Sequence, residues 1–273
     1  MVLNEKVLIA YFKSLGLEVY TSTKARGHQG FYMKNRIDIS KNIPEARIVP
    51  TLLHEFAHYI HSKLEPDMMK TGGTLSVVFD DSETGIYAKE LLKVTNFVDY
   101  QSKCEKLEYH KKLVKDKICD YEKIIKSRYP KFMRSKKFKE FDRYIKKSKA
   151  KYLLKYDRIK LVSGMWFKKT EIFSIDTIER DFCDMPPEFA AYIRLKSCQK
   201  KQRRISSKIN KLKKYYLRPT ELFARLVEGL YLDADAVHDL APVTCRRFYY
   251  LLKSGYYMEL EKVLEDIYCP IIL

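Results

Sequence analysis

The sequence predicts an α+β fold that is mostly helical and carries a long basic helical insertion, shaped like a hairpin or short coiled coil. Apolar residues recur at helical spacing over residues 52–60 and again over 222–230. A weak alternation from Phe31 to Ile39 predicts a strand before the first of these helices. Residues 101–218 hold 36 Lys and Arg against 14 Asp and Glu, a net charge of +22, while the rest of the chain holds −4. These observations predict a folded core interrupted by a basic insertion.

The first predicted helix carries His54 and His58, four residues apart, with Glu55 directly after the first histidine. Residues i and i+4 lie on one face of a helix, so both imidazoles can reach one metal ion. Glu55 would point to the side, where it can contact a metal-bound water without being a ligand. H-E-x-x-H is a signature of zinc sites in peptidases. The alternative is a core helix whose histidines have ordinary hydrogen-bond partners.

The neighbouring residues support a helix at this position. The apolar positions predict a buried stripe made of Leu52, Leu53, Phe56, Ala57 and Ile60. Pro50 and Thr51 predict the start of the helix, with Thr51 at or near the N-cap.

A catalytic zinc usually takes three protein ligands, so a third must be found. His61 continues the histidine face, but it lies about 10 Å along the helix axis from His54, too far to converge on one ion. The positions where metzincins carry a glycine and a third histidine hold His61 and Leu64. The third ligand is therefore expected from a remote segment.

The remote segment begins at Pro219 and predicts a helix that starts there or at Thr220. Glu221 lies in its first turn, and Glu228 follows seven residues later on about the same face. Either carboxylate could be the third ligand, and Glu228 could instead hydrogen-bond a ligand histidine. Glu221 could also be an ordinary glutamate at a helix start, where the macrodipole favours it.

The run from Thr51 to His61, together with the segment from Glu221 to Arg225, resembles the gluzincin-type metallopeptidases of phages and mobile elements. That group includes the ImmA/IrrE-like endopeptidases and the zincin domains of large phage polyvalent proteins. The resemblance covers residues 28–67 and 215–231. It implies a zincin-like core, one zinc ion and hydrolysis of peptide bonds in a protein or peptide substrate. Its E-x-x-A segment corresponds to residues 221–224, so it favours Glu221 as the third ligand.

The resemblance also implies a mechanism. Glu55 would act as the general base, taking a proton from water and delivering it to the leaving amine. A strand before the metal helix would form the sheet edge along which a substrate peptide pairs. Thermolysin-like gluzincins carry Asp where this chain has Arg225, so the residues behind the ligands are expected to differ. For the group that stabilises the oxyanion, Tyr231 and Arg225 are candidates near the ligand helix.

Composition sets limits on the class of protein. A hydrophobic content of 46% excludes wholesale disorder, and no run of eighteen apolar residues predicts a membrane span. The apolar stretch from Val7 to Phe12 is too short for a signal peptide. Six cysteines without C-x-x-C pairs predict reduced thiols, and we expect a cytoplasmic location. The expected organisation is a core in two parts, 1–100 and 219–273, separated by the insertion 101–218.

The insertion carries two helical stripes, one around residues 107–125 and one around 205–216, with a second helix start at Pro187. Between them, Lys131 to Lys160 combines lysines with aromatic residues, and Leu161 to Ile175 predicts a strand pair. One interpretation is a nucleic-acid surface, where cations contact phosphate and aromatics stack on bases. A second is a solvated arm whose aromatics form its own core, and a third is steering of an acidic protein substrate. A competing function is therefore a nucleic-acid-binding protein of a mobile element with a degenerate or regulatory zincin scaffold, which would tolerate Glu55→Gln.

Overall fold

The computed structural model describes residues 4–23, 29–67, 85–163, 169–256 and 258–265. The chain is α+β and mostly helical, and it forms two compact units. Unit 1 consists of residues 1–103 and 212–273, and unit 2 of residues 104–211. Unit 2 holds 32 Lys and Arg against 14 Asp and Glu, a net charge of +18. Unit 1 holds 21 Lys and Arg and 21 Asp and Glu, so its net charge is zero and unit 2 carries the whole net charge of the chain.

The elements follow one another in this order: α1 (Glu5–Ser14), β1 (Glu18–Thr23), β2 (Gly30–Met33), β3 (Arg36–Ser40), a 3-10 turn (Glu45–Arg47), α2 (Ile48–Leu64), α3 (Ile86–Thr95), a π-helical turn (Asn96–Tyr100), α4 (Gln101–Arg128), α5 (Lys136–Lys147), β4 (Arg158–Ser163), β5 (Lys169–Ser174), α6 (Ile178–Asp181), α7 (Pro187–Tyr216), α8 (Pro219–Leu232), α9 (Ala234–Leu240), α10 (Pro242–Lys253) and α11 (Met258–Leu264). Short 3-10 turns at Phe132–Arg134 and Lys149–Leu154 flank α5.

Unit 1 contains a sheet in the order β1-β3-β2, with β3 parallel to β1 and antiparallel to β2. The prediction of one strand from Phe31 to Ile39 is wrong in detail, because β2 and β3 form a hairpin that reverses after Met33. Lys34, in the turn, has a φ of 58°, the left-handed conformation that tight turns require. The apolar alternation runs through the turn, so the pattern could not show the reversal.

Helix α2 is buried on all sides from Pro50 to His61, so it is the central helix of unit 1. Its apolar residues are buried as predicted, and Phe56 stacks on Phe12 of α1 with ring centroids 4.4 Å apart. The predicted start was wrong: the helix begins at Ile48, after a 3-10 turn, and Thr51 is not its N-cap. A proline is tolerated at position 50 because the first turn of a helix has unpaired N–H groups in any case.

Helix α8 begins at Pro219, as predicted, and packs against α2 and α3. Gly229 allows this close packing, because an added Cβ would lie 3.0–3.1 Å from side-chain atoms of Val237, Val94 and Val98. The C-terminal segment is helical, as predicted, in α9, α10 and α11; residues 266–273 lie outside the described residues. The core of unit 1 therefore lies around the α2–α8 pair that carries the predicted site.

Unit 2 has a hydrophobic core of its own, built from α4, α5, α7 and the β4–β5 hairpin. Phe132 and Phe141 are buried in it, so part of the aromatic content of the basic region serves packing. Tyr152 and Tyr156 are different, with 42% and 50% of their surface exposed. No helix in the described part of the chain has both the length and the apolar character needed to cross a membrane.

Candidate metal centre

The candidate metal centre consists of His54 and His58 from α2 and Glu221 from α8. The spacing of four places the two imidazoles on one face of α2, with ring centroids 4.9 Å apart and planes nearly perpendicular. Pro219 starts α8 so that Glu221 lies in its first turn. All three side chains are buried and belong to unit 1, so the α2–α8 packing brings the predicted residues together.

The spacing of the donor atoms is compatible with one bound metal ion. Nε2 of His54 lies 3.4 Å from Oε2 of Glu221, and Nε2 of His58 lies 3.6 Å from Oε1 of the same carboxylate. Zinc with bonds of about 2.1 Å to nitrogen and oxygen holds tetrahedral ligand atoms about 3.4 Å apart. The three donor atoms all lie within 4.8 Å of one another. This buried group can therefore hold a metal ion.

One buried polar atom supports the same conclusion. Oε2 of Glu221 is buried and has no hydrogen-bond partner among the described residues. The 3.4 Å separation between this atom and Nε2 of His54 is too long for a strong, directed hydrogen bond. A buried polar atom without a partner destabilises a fold unless a ligand satisfies it. The alternative of a core helix whose polar groups are all paired does not account for this atom.

Glu228 lies on the other side of the His54 ring. Its Oε2 is 3.1 Å from Nδ1 of His54, so the two carboxylates of α8 contact opposite nitrogens of one imidazole. A carboxylate behind a histidine ligand fixes the tautomer and orientation of the ring. The structure therefore brings Glu228 to the supporting position that was one of its two predicted roles, and it is not part of the His54–His58–Glu221 group.

Two arginines hold Glu228 in place. Nη1 of Arg225 donates to Oε2 of Glu228 at 2.5 Å, and Nη2 of Arg47 donates to Oε1 at 2.5 Å. Arg225 also forms an ion pair with Asp99 of the π-helical turn at 3.4 Å. Burial disfavours the charge of Glu228, but the hydrogen bond with His54 and the charge of Arg225 outweigh it and lower its pKa to about 2. Glu228 is therefore ionised and can accept the N–H of His54.

The neighbouring groups shift the pKa values of His54 and His58 in opposite directions. Burial and Arg225 lower the pKa of His54, but its interactions with the carboxylates of Glu221 and Glu228 prevail and raise it to about 9. Burial and the neighbouring His54 lower the pKa of His58 to about 3. At neutral pH the metal-free site therefore holds one charged and one neutral imidazole.

Glu55 is 5% exposed and lies beside this group on α2. Burial, joined by the charge of Glu221, raises its pKa to about 7, against the opposing charges of His54 and Arg225. Its carboxylate also accepts a hydrogen bond from the backbone N–H of Tyr32 in β2. A carboxyl group with a pKa near neutrality can both accept and release a proton at physiological pH.

The edge of strand β2 that faces away from β3 lies next to the Glu55 carboxylate. Ser40 N donates to the Gln29 carbonyl at 2.8 Å, which identifies them as a hydrogen-bonded pair. The alternation of an antiparallel ladder then makes Gly30 and Tyr32 members of the non-hydrogen-bonded pairs, with N–H and C=O pointing away from β3. Among the described residues no strand pairs with β2 on that side. The edge next to Glu55 therefore offers backbone donors and acceptors.

Tyr215, at the end of α7, is the functional candidate that the sequence interpretation missed. Its hydroxyl interacts with the Glu221 carboxylate, and burial together with that charge raises its pKa, so the hydroxyl stays protonated. Its side chain is only partly buried. Nothing in the sequence separates it from the other 20 tyrosines except its position six residues before Glu221.

Arg225 and Tyr231, the two residues that the sequence suggested for stabilising the oxyanion, lie elsewhere. Arg225 is engaged with Glu228 and Asp99. Tyr231 lies ten residues after Glu221 on the same helix, about 15 Å along its axis, and packs against the core.

His61 is fully buried beside Phe223 and does not join the metal group of the described residues. His28, two residues before β2, lies outside the described residues.

Comparison with known protein families, with curated proteins and with solved structures gave no match for this chain. The geometry of the centre therefore carries the functional argument.

Proposed function

We propose that the protein is a zinc-dependent endopeptidase of the gluzincin type. The observation that carries the proposal is the buried group of His54, His58 and Glu221, whose donor atoms all lie within 4.8 Å of one another, with Glu55 beside it. Bound zinc would polarise the scissile carbonyl and lower the pKa of a coordinated water toward neutrality. Three protein ligands leave a fourth position open, as catalytic zinc sites do, whereas structural sites usually have four protein ligands.

Glu55 is the proposed general base. It takes a proton from the attacking water and passes it to the leaving amine. Its burial keeps the pKa near neutrality, and the Tyr32 N–H orients its carboxylate toward the β2 edge. Tyr215 is the proposed donor to the carbonyl oxygen that gains negative charge, because its protonated hydroxyl already lies against Glu221.

The proposed substrate is an extended peptide. The outward N–H and C=O groups of Gly30 and Tyr32 can pair with it as an added strand, which supplies main-chain affinity without requiring a particular sequence. Such pairing would bring the peptide backbone past Glu55, the side chain that receives the Tyr32 N–H.

The test compares the full chain, loaded with zinc, with its Glu55→Gln variant on a peptide library made by digesting a whole proteome. New peptide ends are detected by mass spectrometry, and bound zinc is measured by elemental analysis. We expect cleavage by the wild type, and about 10²- to 10⁴-fold slower cleavage by the variant, because the proton acceptor is lost. The variant should retain its zinc, since Glu55 is not a ligand.

Equal cleavage by the two proteins would exclude Glu55 as the base. A zinc-loaded wild type that cleaves no peptide would favour the competing function, a nucleic-acid-binding protein with a zincin scaffold. The observation that favours this second candidate is that unit 2 carries the entire net positive charge of the chain.

A further inference from the structure

Helix α7 in unit 2 has an unusual arrangement of charges. From residue 189 to its end it contains no Asp or Glu, and basic residues follow one another four apart: Lys196, Lys200, Arg204 and Lys208. Like charges at this spacing repel one another and destabilise a helix. Helix α4 mixes both signs, as in the ion pair between Lys111 and Glu108. Arg194 and Lys201 of this helix are paired with Glu179 and Asp157. A row of basic residues without acidic neighbours on its own helix is typical of a face adapted to an anionic ligand.

This face borders an open pocket of about 300 Å³, lined by Lys155, Tyr156, Lys200, Arg203, Arg204 and Ser207. The four residues from α7 lie at positions i, i+3, i+4 and i+7, so they form one stripe of the helix. All the lining side chains are exposed and all belong to unit 2. We refer to this site as the α7 pocket.

The positive charge of the α7 pocket is not neutralised by the protein. No carboxylate lines it within the part of the chain that the structure describes. Asp157, next to Tyr156 in the sequence, is paired with Lys201 at 2.5 Å. No ion pair joins Lys155, Lys200 or Arg203 to a carboxylate of the described residues. Three cations therefore face solvent together.

Tyr156 adds an aromatic surface to this cluster. The Arg204 guanidinium lies 5.1 Å from the centre of its ring and also donates a hydrogen bond to the backbone carbonyl of Lys155. These contacts fix the ring beside α7. Half of the Tyr156 surface nevertheless stays exposed, so the ring can still receive a flat ligand.

We propose that the α7 pocket binds single-stranded nucleic acid, with phosphates on Lys155, Lys200 and Arg203 and a base stacked on Tyr156. Single-strand binding sites combine a cationic groove for the backbone with an exposed aromatic ring for the bases. Unit 2 carries a net charge of +18, so further phosphates can bind along its surface. This proposal is independent of the proposed peptidase activity.

Two other anionic partners fit the site less well. A helix that lies on a membrane exposes large apolar side chains beside its cations, and the described part of α7 within unit 2 exposes none. An acidic polypeptide would use the cations but would gain little from the exposed ring of Tyr156.

The test measures binding of a short fluorescein-labelled single-stranded DNA of mixed sequence to the full chain, by fluorescence anisotropy over a series of NaCl concentrations. RNA of the same sequence and the DNA duplex serve as comparison ligands. We expect Lys200→Ala with Arg203→Ala to weaken binding at least tenfold and to reduce the slope of log K against log salt by about 1.4, or about 0.7 for each lost phosphate contact. Tyr156→Ala should weaken binding about 5- to 100-fold, through lost stacking.

Matched controls remove the same groups elsewhere in unit 2. Lys139→Ala with Arg143→Ala removes one Lys and one Arg from exposed positions of α5, and Tyr152→Ala removes another exposed tyrosine. Both controls should stay within about twofold of the wild type, because neither touches the pocket. Thermal unfolding verifies that each variant is folded, and Lys155→Ala, outside the helices, provides a further variant of the pocket.

Equal losses in the two Lys–Arg pairs would overturn the proposal, since only the overall charge would then matter. Competition by polyglutamate as effective as that by unlabelled single-stranded DNA would also overturn it in favour of an acidic polypeptide. Tighter binding of the duplex, unaffected by Tyr156→Ala, would exclude the stacking site. Each measurement is repeated on zinc-free protein with no turnover readout, so its result does not depend on the peptidase proposal.

Discussion

Nδ1 of His54 lies 3.1 Å from Oε2 of Glu228, while Nε2 of the same ring lies 3.4 Å from Glu221. The two glutamates are seven residues apart on α8, about 10 Å along the helix axis, and the imidazole occupies the space between them. Only Glu221 also reaches His58, at 3.6 Å. The two carboxylates therefore have unequal roles, and the same substitution at each position can separate them.

Glu228→Gln should weaken zinc binding about 10- to 100-fold, the usual effect of losing the partner of a histidine ligand. Glu221→Gln should weaken it more, because the proposed ligand loses its charge and keeps only a weakly coordinating amide oxygen. Competition with a fluorescent zinc chelator gives both affinities. We expect about one zinc per chain in the wild type. Elemental analysis of Glu221→Ala, purified without added zinc, should find less zinc than this.

Glu45→Gln is the control for these variants, because Glu45 is an exposed glutamate of unit 1 outside the site. Its zinc affinity should equal that of the wild type. A larger loss in Glu228→Gln than in Glu221→Gln would reverse the two assignments and make Glu228 the ligand.

Tyr215→Phe, assayed at saturating zinc, should lower kcat about 10²- to 10³-fold, the effect of losing one donor to an oxyanion, with KM nearly unchanged. Its neighbour provides the matched control, because the Tyr216 hydroxyl donates to Asp99 and not to Glu221. Tyr216→Phe should lower the free energy of unfolding by about 1 kcal/mol for the lost hydrogen bond. Equal kinetic effects in the two variants would show that Tyr215 acts only through packing.

The ligand group was accessible from the sequence because its information is local. His54, Glu55 and His58 form a motif within one helix turn, and Glu221 follows a proline that marks a helix start. The structure brings the predicted His54, His58 and Glu221 together, and a metal titration remains the direct test of their role. Local spacing thus contained the histidine pair, whereas the choice of Glu221 over Glu228 came from the family resemblance and not from spacing.

The supporting residues depend on contacts that no local pattern carries. Arg47 reaches Glu228 across 181 positions of the chain, and Asp99 reaches Tyr216 across 117. Strand β1 pairs with β3 by a parallel register that the weak alternation did not show, and α3 was not predicted at all. Charge alone also could not separate the buried Phe141 from the exposed Tyr156 in the basic region. These contacts, the strand pairing and the burial of each side chain all depend on tertiary packing.

Gly30→Ala should reduce peptide cleavage while leaving zinc in place. An added Cβ would lie 2.7 Å from the Thr51 methyl group and 3.1 Å from Ile39, so either the strand or these side chains must shift, and we expect β2 to move away from α2. The Tyr32 N–H would then leave the Glu55 carboxylate. Cleavage rates and zinc content of the two proteins give the comparison.

Thr51→Ser removes the methyl group that the new Cβ would meet. The double variant Gly30→Ala with Thr51→Ser should therefore regain part of the lost cleavage, and Thr51→Ser alone should resemble the wild type. A double variant no more active than Gly30→Ala would place the cause elsewhere.

Glu90→Ala should destabilise unit 1 without affecting zinc. Glu90 of α3 is buried and accepts hydrogen bonds from Thr244 N and Oγ1, both at 2.7 Å, at the start of α10. The N-cap of that helix, Ala241, has no side chain that could do this. Loss of a buried acceptor costs about 1–3 kcal/mol, measurable as a shift of the urea midpoint. Glu45→Ala, at an exposed position, should lower the free energy of unfolding by less than about 0.5 kcal/mol. Equal losses of stability in the two variants would exclude the capping role of Glu90.

Zinc binding should release about one proton per chain at pH 7.5, because a metal can bind only the neutral imidazole. In the metal-free protein the pKa of His54 is about 9, so its ring carries a proton that the metal must displace. His58, with a pKa of about 3, is already neutral and releases none. The apparent zinc affinity should therefore rise with pH, by about tenfold per unit, and level off near the pKa of His54.

Calorimetric titration of zinc in buffers of different ionisation enthalpy measures the number of released protons. Glu228→Gln provides the decisive comparison, since removing this charge removes one of the interactions that raise the pKa of His54. Fewer protons should then be released at the same pH, and the rise in affinity should level off at lower pH. Release of two protons would mean that a second group, His58, Glu55 or the coordinated water, also loses a proton when zinc binds. Release unchanged by Glu228→Gln would mean that His54 does not depend on Glu228 for its proton.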